Sequence, residues 1–296
     1  MSGNFGEGVD PRGDSSVLSN LSQFVKPENP PKYFGIDFDD TFFSPHDKEA
    51  FKLNLEAFAE ARKKGFVPFF CTGKSLSSAM DIVGDDFIAK TGYNGYPGVY
   101  ENGAMVYDEN GKVVYSKPFS KEFVKGLAEF VMGKPSLRSI DCFVGDKYYS
   151  TGVTELMLKS LKERDLPAPQ VVPIEDILRL DVGKIYMTSD HVDIPGFEQG
   201  KDYVAKFDLP GAWDVIPGGV SKAVGITKLM EHYGIPPKDC GFIGNGDNDT
   251  EAMDFCNLSF AVGNSPDFVK RHAKWVMDKT CDEGAVSEAL QLTYDL

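Results

Sequence analysis

The sequence lacks several things that would have pointed elsewhere. Its cysteines (Cys71, Cys142, Cys240, Cys256 and Cys281) are odd in number and none stands in a CxxC spacing. That excludes a disulfide framework or a thiolate metal site read from spacing, and it predicts reduced, mostly buried thiols in a reducing compartment. The histidines His46, His191, His232 and His272 show no metal-ligand spacing. Surface or helix positions account for them. No apolar run approaches the length of a membrane span. The first residues, MSGNFGEGVDPRGDSS, lack the apolar segment of a secretory signal. Cytoplasm is therefore the expected location, with no membrane partner. Basic residues are few: 31 Lys and Arg stand against 45 Asp and Glu, for a net charge of −14. Phosphate backbones are held by Lys/Arg stripes, and none is visible, so no nucleic-acid partner is expected.

What is present is ordinary for a soluble globular chain of 296 residues, with 42% hydrophobic and 26% charged residues. That length fits one large domain or two ordinary ones. The acidic balance reads as solubility. A local excess of carboxylates could also hold a hard cation, which bulk charge does not show.

Residues 1–31 are rich in Gly, Ser, Pro and Asn, as expected of a flexible arm with at most one short docking helix. From Lys32 the texture is a parallel α/β sheet. YFGIDF reads as a buried strand that stops at acidic residues. Ser44-Pro45-His46-Asp47 reads as a helix start, with Ser44 as cap and Pro45 at the first position. Phe51, Leu55 and Phe58 follow at helical spacing, and Gly65 ends the helix. FVPFFCT is a second strand, followed by a helix over about 75–83. After Gly103, hairpins mix with helices. One hairpin turns at Asn110-Gly111 and another at Gly145-Asp146. Helices are expected over 123–132 and 154–164, and GKIYMTSD reads as a strand. This predicts an α+β module inserted at about 106–206. The α/β texture resumes at Trp213, with an amphipathic helix over 222–233, strands CGFIG and LSFAVG, and a helix over 268–274. The expected division is thus a core of 32–105 plus 207–296, with 106–206 between them.

Chemistry-bearing residues fall in four clusters, each after a strand or at a helix start. In Asp37-Phe38-Asp39-Asp40-Thr41, two carboxylates two residues apart could serve as nucleophile and general acid/base. Acidic strand-end loops also arise as simple turns. Thr72-Gly73-Lys74 offers a hydroxyl and backbone N–H groups to an anion, though Thr-Gly is a common turn. At the Gly218–Lys222 run, Lys222 could offset phosphate charge or be a solvated surface lysine. In Gly244-Asn245-Gly246-Asp247-Asn248-Asp249, oxygen ligands for Mg²⁺ compete with an Asx-rich turn.

The order of these clusters resembles the haloacid dehalogenase superfamily, whose pattern is DxDxT, a hydroxyl, a Lys and a GDxxND loop. Asn102-Gly103-Ala104, the GVSK run at 219–222, Gly263-Asn264 and Asp282-Glu283-Gly284 are similar to its Cof-type subgroup with a C2 (IIB) cap. The resemblance spans about 32–290. It implies a Rossmann-like doubly wound core and a Mg²⁺-dependent phosphatase acting on a small phosphomonoester, such as a sugar phosphate. By the same resemblance Asp37 would be the nucleophile and Asp39 the general acid/base. Thr72, Gly73, Lys222 and Asn248 would hold the phosphoryl group. Asp37, Asp39, Asn245 and Asp249 would serve the metal, Asp249 by ordering Lys222 and the metal's water shell. The 106–206 insert would be the cap. One departure stands out: Asn245 occupies a position where the family has Asp, which should weaken metal binding unless Asp247 reaches the metal instead. Lys74 for Arg and Ala223 for Gly are lesser departures, expected to lie off the chemistry. The pattern leaves two other functions open: a sugar-phosphate phosphotransferase or mutase, and a weakened member that binds a phosphometabolite. Cap positions Arg138, Asp141, Tyr148 and Tyr149 read equally well as substrate-facing or as hairpin surface.

Overall fold

The computed structural model describes residues 16–134, 139–145, 147–153, 155–163, 168–189, 191–209 and 212–296; Arg138, Asp146, Thr154 and Arg164 lie outside them. Apolar runs bounded by turns become the strands β1 (Tyr33–Ile36) and β2 (Val67–Phe70). A short antiparallel sheet follows, of β3 (Gly98–Tyr100), β4 (Met105–Tyr107) and β5 (Val113–Ser116). The next strands are β6 (Asp141–Val144), β7 (Lys147–Ser150), β8 (Gln170–Val171), β9 (Lys184–Thr188), β10 (Tyr203–Leu209) and β11 (Ala212–Pro217). The chain returns to the core with β12 (Gly241–Gly244), β13 (Leu258–Ala261) and β14 (Trp275–Val276). The core sheet is parallel, in the order β14-β13-β12-β1-β2. Its strands are buried almost throughout, as a sheet covered by helices on both faces requires.

Between these strands run α1 (Lys48–Lys63), α2 (Leu76–Thr91), α3 (Lys121–Met132), α4 (Glu155–Glu163), α5 (Ile174–Ile177), α6 (Lys222–His232), α7 (Thr250–Phe255), α8 (Asp267–Lys270) and α9 (Ala285–Tyr294). From β1 the chain steps through α1 to β2 on one side. From β12 it steps through α7 to β13 on the other. Right-handed crossovers in opposite directions place α1 and α7 on opposite faces and make the gap between β1 and β12 the topological switch point. A phenylalanine-rich cluster that includes Phe38, Phe42, Phe58, Phe70 and Phe87 fills the space between β1, β2, α1 and α2.

Several expectations need correcting. α1 starts at Lys48, capped by Asp47, whose carboxylate accepts from Glu49 N at 2.8 Å and Ala50 N at 2.9 Å. Ser44 does not cap it; its hydroxyl bonds Asp282. α2 continues past Val83 to Thr91 because Gly84, at φ 72°, permits a kink rather than an end. α8 stops at Lys270, short of the expected Lys274. Trp213, read as the return of the α/β texture, lies in β11. That strand pairs antiparallel with β9 and β10 in the six-stranded sheet β10-β11-β9-β6-β7-β8. This sheet therefore runs to Pro217, past the expected boundary at Lys206. It has its own buried cluster beneath α3, including Phe123, Leu127, Cys142, Ile185 and Val215. Residues 16–31 carry a 3-10 turn at Leu21–Gln23, and Asn20 and Phe24 lie against the edge of the core sheet. No helix among the described residues is long and apolar enough to cross a membrane.

Candidate active site

The carboxyl ends of the parallel strands bring together residues far apart in sequence. Asp37 follows β1 directly and donates its N–H to Ile243 O of β12 at 2.9 Å. Its buried carboxylate is held on both sides. Oδ1 accepts from Lys222 Nζ, and Oδ2 from Thr41 Oγ1 at 3.0 Å. Lys222 is fully buried at the first position of α6, behind its cap Ser221. A cation is unfavourable at a helix N-terminus, and a buried unpaired ammonium is more so. Lys222 therefore depends on two carboxylates: Asp37 and Asp249, the latter at 2.6 Å.

Asp249 also organises its own loop. Its Oδ2 accepts from Asn245 N and Gly246 N, both at 2.9 Å. A Cβ at Gly244 would collide with that carboxylate. With one oxygen on Lys222 and the other on two backbone amides, Asp249 acts through its neighbours.

Burial raises Asp37, as does the Asp249 charge; Lys222 pulls it back, and the net is a pKa of about 7. Burial lowers Lys222, but Asp249 and Asp37 outweigh it and hold the ammonium charged. A raised Asp37 argues for a neutral pair and a raised Lys222 for a charged one. The geometry favours the charged triad: one ammonium touches two carboxylates, and one of these accepts two further N–H bonds.

Thr41 Oγ1 lies 3.0 Å from Asp37 Oδ2 and 3.1 Å from Asn245 Oδ1. Its single hydrogen serves only one of them, so oxygens with spare lone pairs converge there. That donor set, a carboxylate and an amide oxygen, fits a hard cation. Among the described residues no group of three or more His, Cys, Asp or Glu is placed to hold a metal. Asp39 points to solvent, 58% exposed, 3.2 Å from Lys74 Nζ. Lys74, expected to lie off the chemistry, thus touches the second carboxylate of the DxD pair.

Thr72 is buried; its N–H donates to Val99 O, and its Oγ1 accepts from Lys74 N at 3.1 Å. Gly73 lies beside the Asn102 side chain, which would stand 3.0 Å from a Cβ there. Asn248 Nδ2 donates to Asn102 Oδ1 at 3.0 Å. Asn102 therefore ties the Thr72–Gly73 turn to the Asn245–Asp249 loop. Asn102 belongs to the Asn102-Gly103-Ala104 motif, which by itself assigns it no role. Its signal was the Asn-Gly dipeptide, here at φ 54° and 95°. A cavity of about 370 Å³ opens beside this cluster, lined by Asn102, Lys222 and Asn248 and also by Val204, Lys206 and Ile216 of the six-stranded sheet.

Residues 34–290 match the sequence profile of the haloacid dehalogenase-like hydrolases. Among curated relatives, the 5-amino-6-(5-phospho-D-ribitylamino)uracil phosphatase YbjI of Escherichia coli is 25% identical over 86% of this chain and 93% of its own length. The chloroplastic endoribonuclease YBEY of Arabidopsis thaliana is 22% identical over 87% of this chain, which spans 46% of that longer protein. Among solved structures, a HAD/COF-like hydrolase from Plasmodium vivax superposes with a TM-score of 0.76 at 26% identity, covering 90% of this chain and 96% of the other. The chain belongs to the haloacid dehalogenase-like hydrolases.

Proposed function

We propose that this haloacid dehalogenase-like hydrolase is a Mg²⁺-dependent phosphatase of a small phosphomonoester, a sugar or polyol phosphate, working through an aspartyl-phosphate on Asp37. The observation that carries the reading is the buried Asp37–Lys222–Asp249 triad at the switch point, with Thr41 bridging Asp37 to Asn245. A nucleophile, a fixed cation and a converging set of oxygens are what phosphoryl transfer needs.

In the first step an Asp37 oxygen bonds to phosphorus as the ester P–O bond breaks. Asp39, at the solvent side, gives its proton to the leaving oxygen. In the second, Asp39 takes a proton from water, whose oxygen attacks phosphorus and frees Asp37 and inorganic phosphate. Lys222, Thr72, Gly73 and Asn248 hold the phosphoryl oxygens, and Asp249 keeps Lys222 in place. Asp37, the Asp39 backbone carbonyl and Asn245 would hold Mg²⁺, which when bound offsets repulsion between Asp37 and the phosphoryl oxygens. The six-stranded sheet with α3 would be the C2-type cap, selecting the leaving group and excluding water. The polyol phosphate in the name of the E. coli relative supports the substrate class.

The test is phosphate release from a panel of sugar and polyol phosphates, with and without Mg²⁺, with Asp37→Asn as the blank. Mg²⁺-dependent turnover that vanishes in the variant is the expected result. Turnover equal to the blank across the panel at millimolar Mg²⁺ would overturn the reading and favour a phosphometabolite-binding role.

A further inference from the structure

Lys206 and Asp247 have no part in the chemistry above, yet they join the two sheets across the cavity. Lys206 lies on β10 in register with Asp214, which faces Tyr186 on β9 and, beyond it, Asp141 on β6. Residues directly opposed across a sheet share a face. The other face carries Cys142, Ile185 and Val215, buried under α3. Val204 and Ile216 share the Lys206 face, and these three line the same cavity as Lys222 and Asn248. This face therefore looks toward the candidate active site.

Asp214, the neighbour in register, is already committed: it pairs with Lys184 at 3.1 Å, both side chains being mostly buried. Lys206 instead reaches across to Asp247 Oδ2 at 3.1 Å. Asp247 opens the short 3-10 turn Asp247–Asp249. The other two residues of that turn hold Asn102 and Lys222. A three-residue turn has little slack, so a pull on Asp247 is felt by Asn248 and Asp249.

We propose that Lys206 is a positioning residue, its ion pair with Asp247 being the latch through which seating of the six-stranded sheet sets the Asn245–Asp249 loop. The inference rests on the phosphatase reading for its catalytic consequence, but not for the latch itself. The strength of the pair suits the role. The side chains are 35% and 70% exposed, and such pairs are weak and screened by salt. A contact of this kind biases closure by about two- to five-fold, enough to favour the seated arrangement and weak enough to open at every turnover.

The test uses the full chain with Leu53→Cys on α1 and Met132→Cys on α3, both exposed positions, labelled as an energy-transfer pair; the native cysteines are buried. Raising salt from about 20 mM to about 0.5 M is expected to shift the population two- to five-fold toward low transfer. Lys206→Ala should sit at low transfer already and ignore salt. Lys206→Arg should behave as wild type, and the exchange Lys206→Asp with Asp247→Lys should restore the salt response. In turnover, Lys206→Ala should raise KM about two- to five-fold with kcat little changed, and Lys206→Arg should rescue it. Identical transfer and salt response in wild type and Lys206→Ala would overturn the latch, whatever the turnover. If no form turns over, the phosphatase reading fails and the energy-transfer result still decides the latch.

Discussion

Asn245 brings an amide oxygen to a place where a carboxylate would add a full negative charge beside Asp37. The Asn245 side chain meets Thr41 at 3.1 Å, and its backbone N–H is fixed by Asp249, so a substitution here changes charge more than position. Asn245→Asp is expected to lower the Mg²⁺ concentration for half-maximal phosphate release about tenfold, the worth of one added attraction of roughly 1.4 kcal/mol in a partly solvated site. Calorimetric Mg²⁺ binding, which needs no turnover, should show the same shift. An unchanged midpoint in both measurements would mean that residue 245 lies outside the metal's reach. At this scale the residue types of the site were legible, because DxDxT and the Asn245–Asp249 loop are short and contiguous. The Lys74–Asp39 contact and the bridging place of Asn102 were not. Each depends on how two strand-end loops approach one another, which local pattern does not encode.

The elements that carry the site are set by glycines as much as by charged groups. The turn after β3 passes so close to the start of α6 that a Cβ on Gly103, at φ 95°, would run into the carbonyl oxygen of Ser221, the cap preceding Lys222. Gly103→Ala combines a disfavoured backbone conformation with a backbone clash, and about 2–4 kcal/mol of destabilisation is expected. Because the clash displaces α6 at Lys222, phosphate release should fall further than stability alone accounts for. Urea unfolding alongside turnover well below the unfolding transition separates the two effects. Wild-type stability in the variant would show that the turn can move away from α6 freely. Element reading worked where the apolar period was uninterrupted, as in β1, β2, α3 and α6. It failed where one residue had two uses. The helix expected to end at Val83 runs on to Thr91 through a kink at Gly84. Ser44 reads as a cap but is drawn to Asp282, leaving Asp47 to cap α1. Trp213 reads as the return of the core although the alternation Ala205-Lys206-Phe207-Asp208-Leu209 marks an antiparallel strand, and that strand pairs with the one carrying Trp213.

Across the whole molecule, the switch point exists only when β1 and β12 pair, and they lie on either side of the inserted sheet in sequence. The far edge of the same sheet is β14, a strand of two residues, and the chain closes that edge with its own N-terminal segment. Asn20 accepts from Val276 N at 2.8 Å and donates to Lys274 O at 3.1 Å, as a neighbouring strand would. Phe24 packs edge-on against Trp275 with ring centroids 5.0 Å apart. Composition reads this segment as a polar, Gly-rich arm with at most one short docking helix; the docking runs through Asn20, Leu21 and Phe24 at a single 3-10 turn. Removing residues 1–26 uncovers backbone donors and acceptors together with an aromatic face. A loss of about 2 kcal/mol is expected, which for a chain of this size lowers Tm by roughly 3 °C. An uncovered edge also invites pairing between copies, but a net charge of −14 opposes it until salt screens the repulsion. Sedimentation of the truncated chain should therefore show monomer at low ionic strength and association as salt rises, while the full chain changes little. Association that weakens with salt would instead place the contact on charged surface, and the edge would not be what the segment protects.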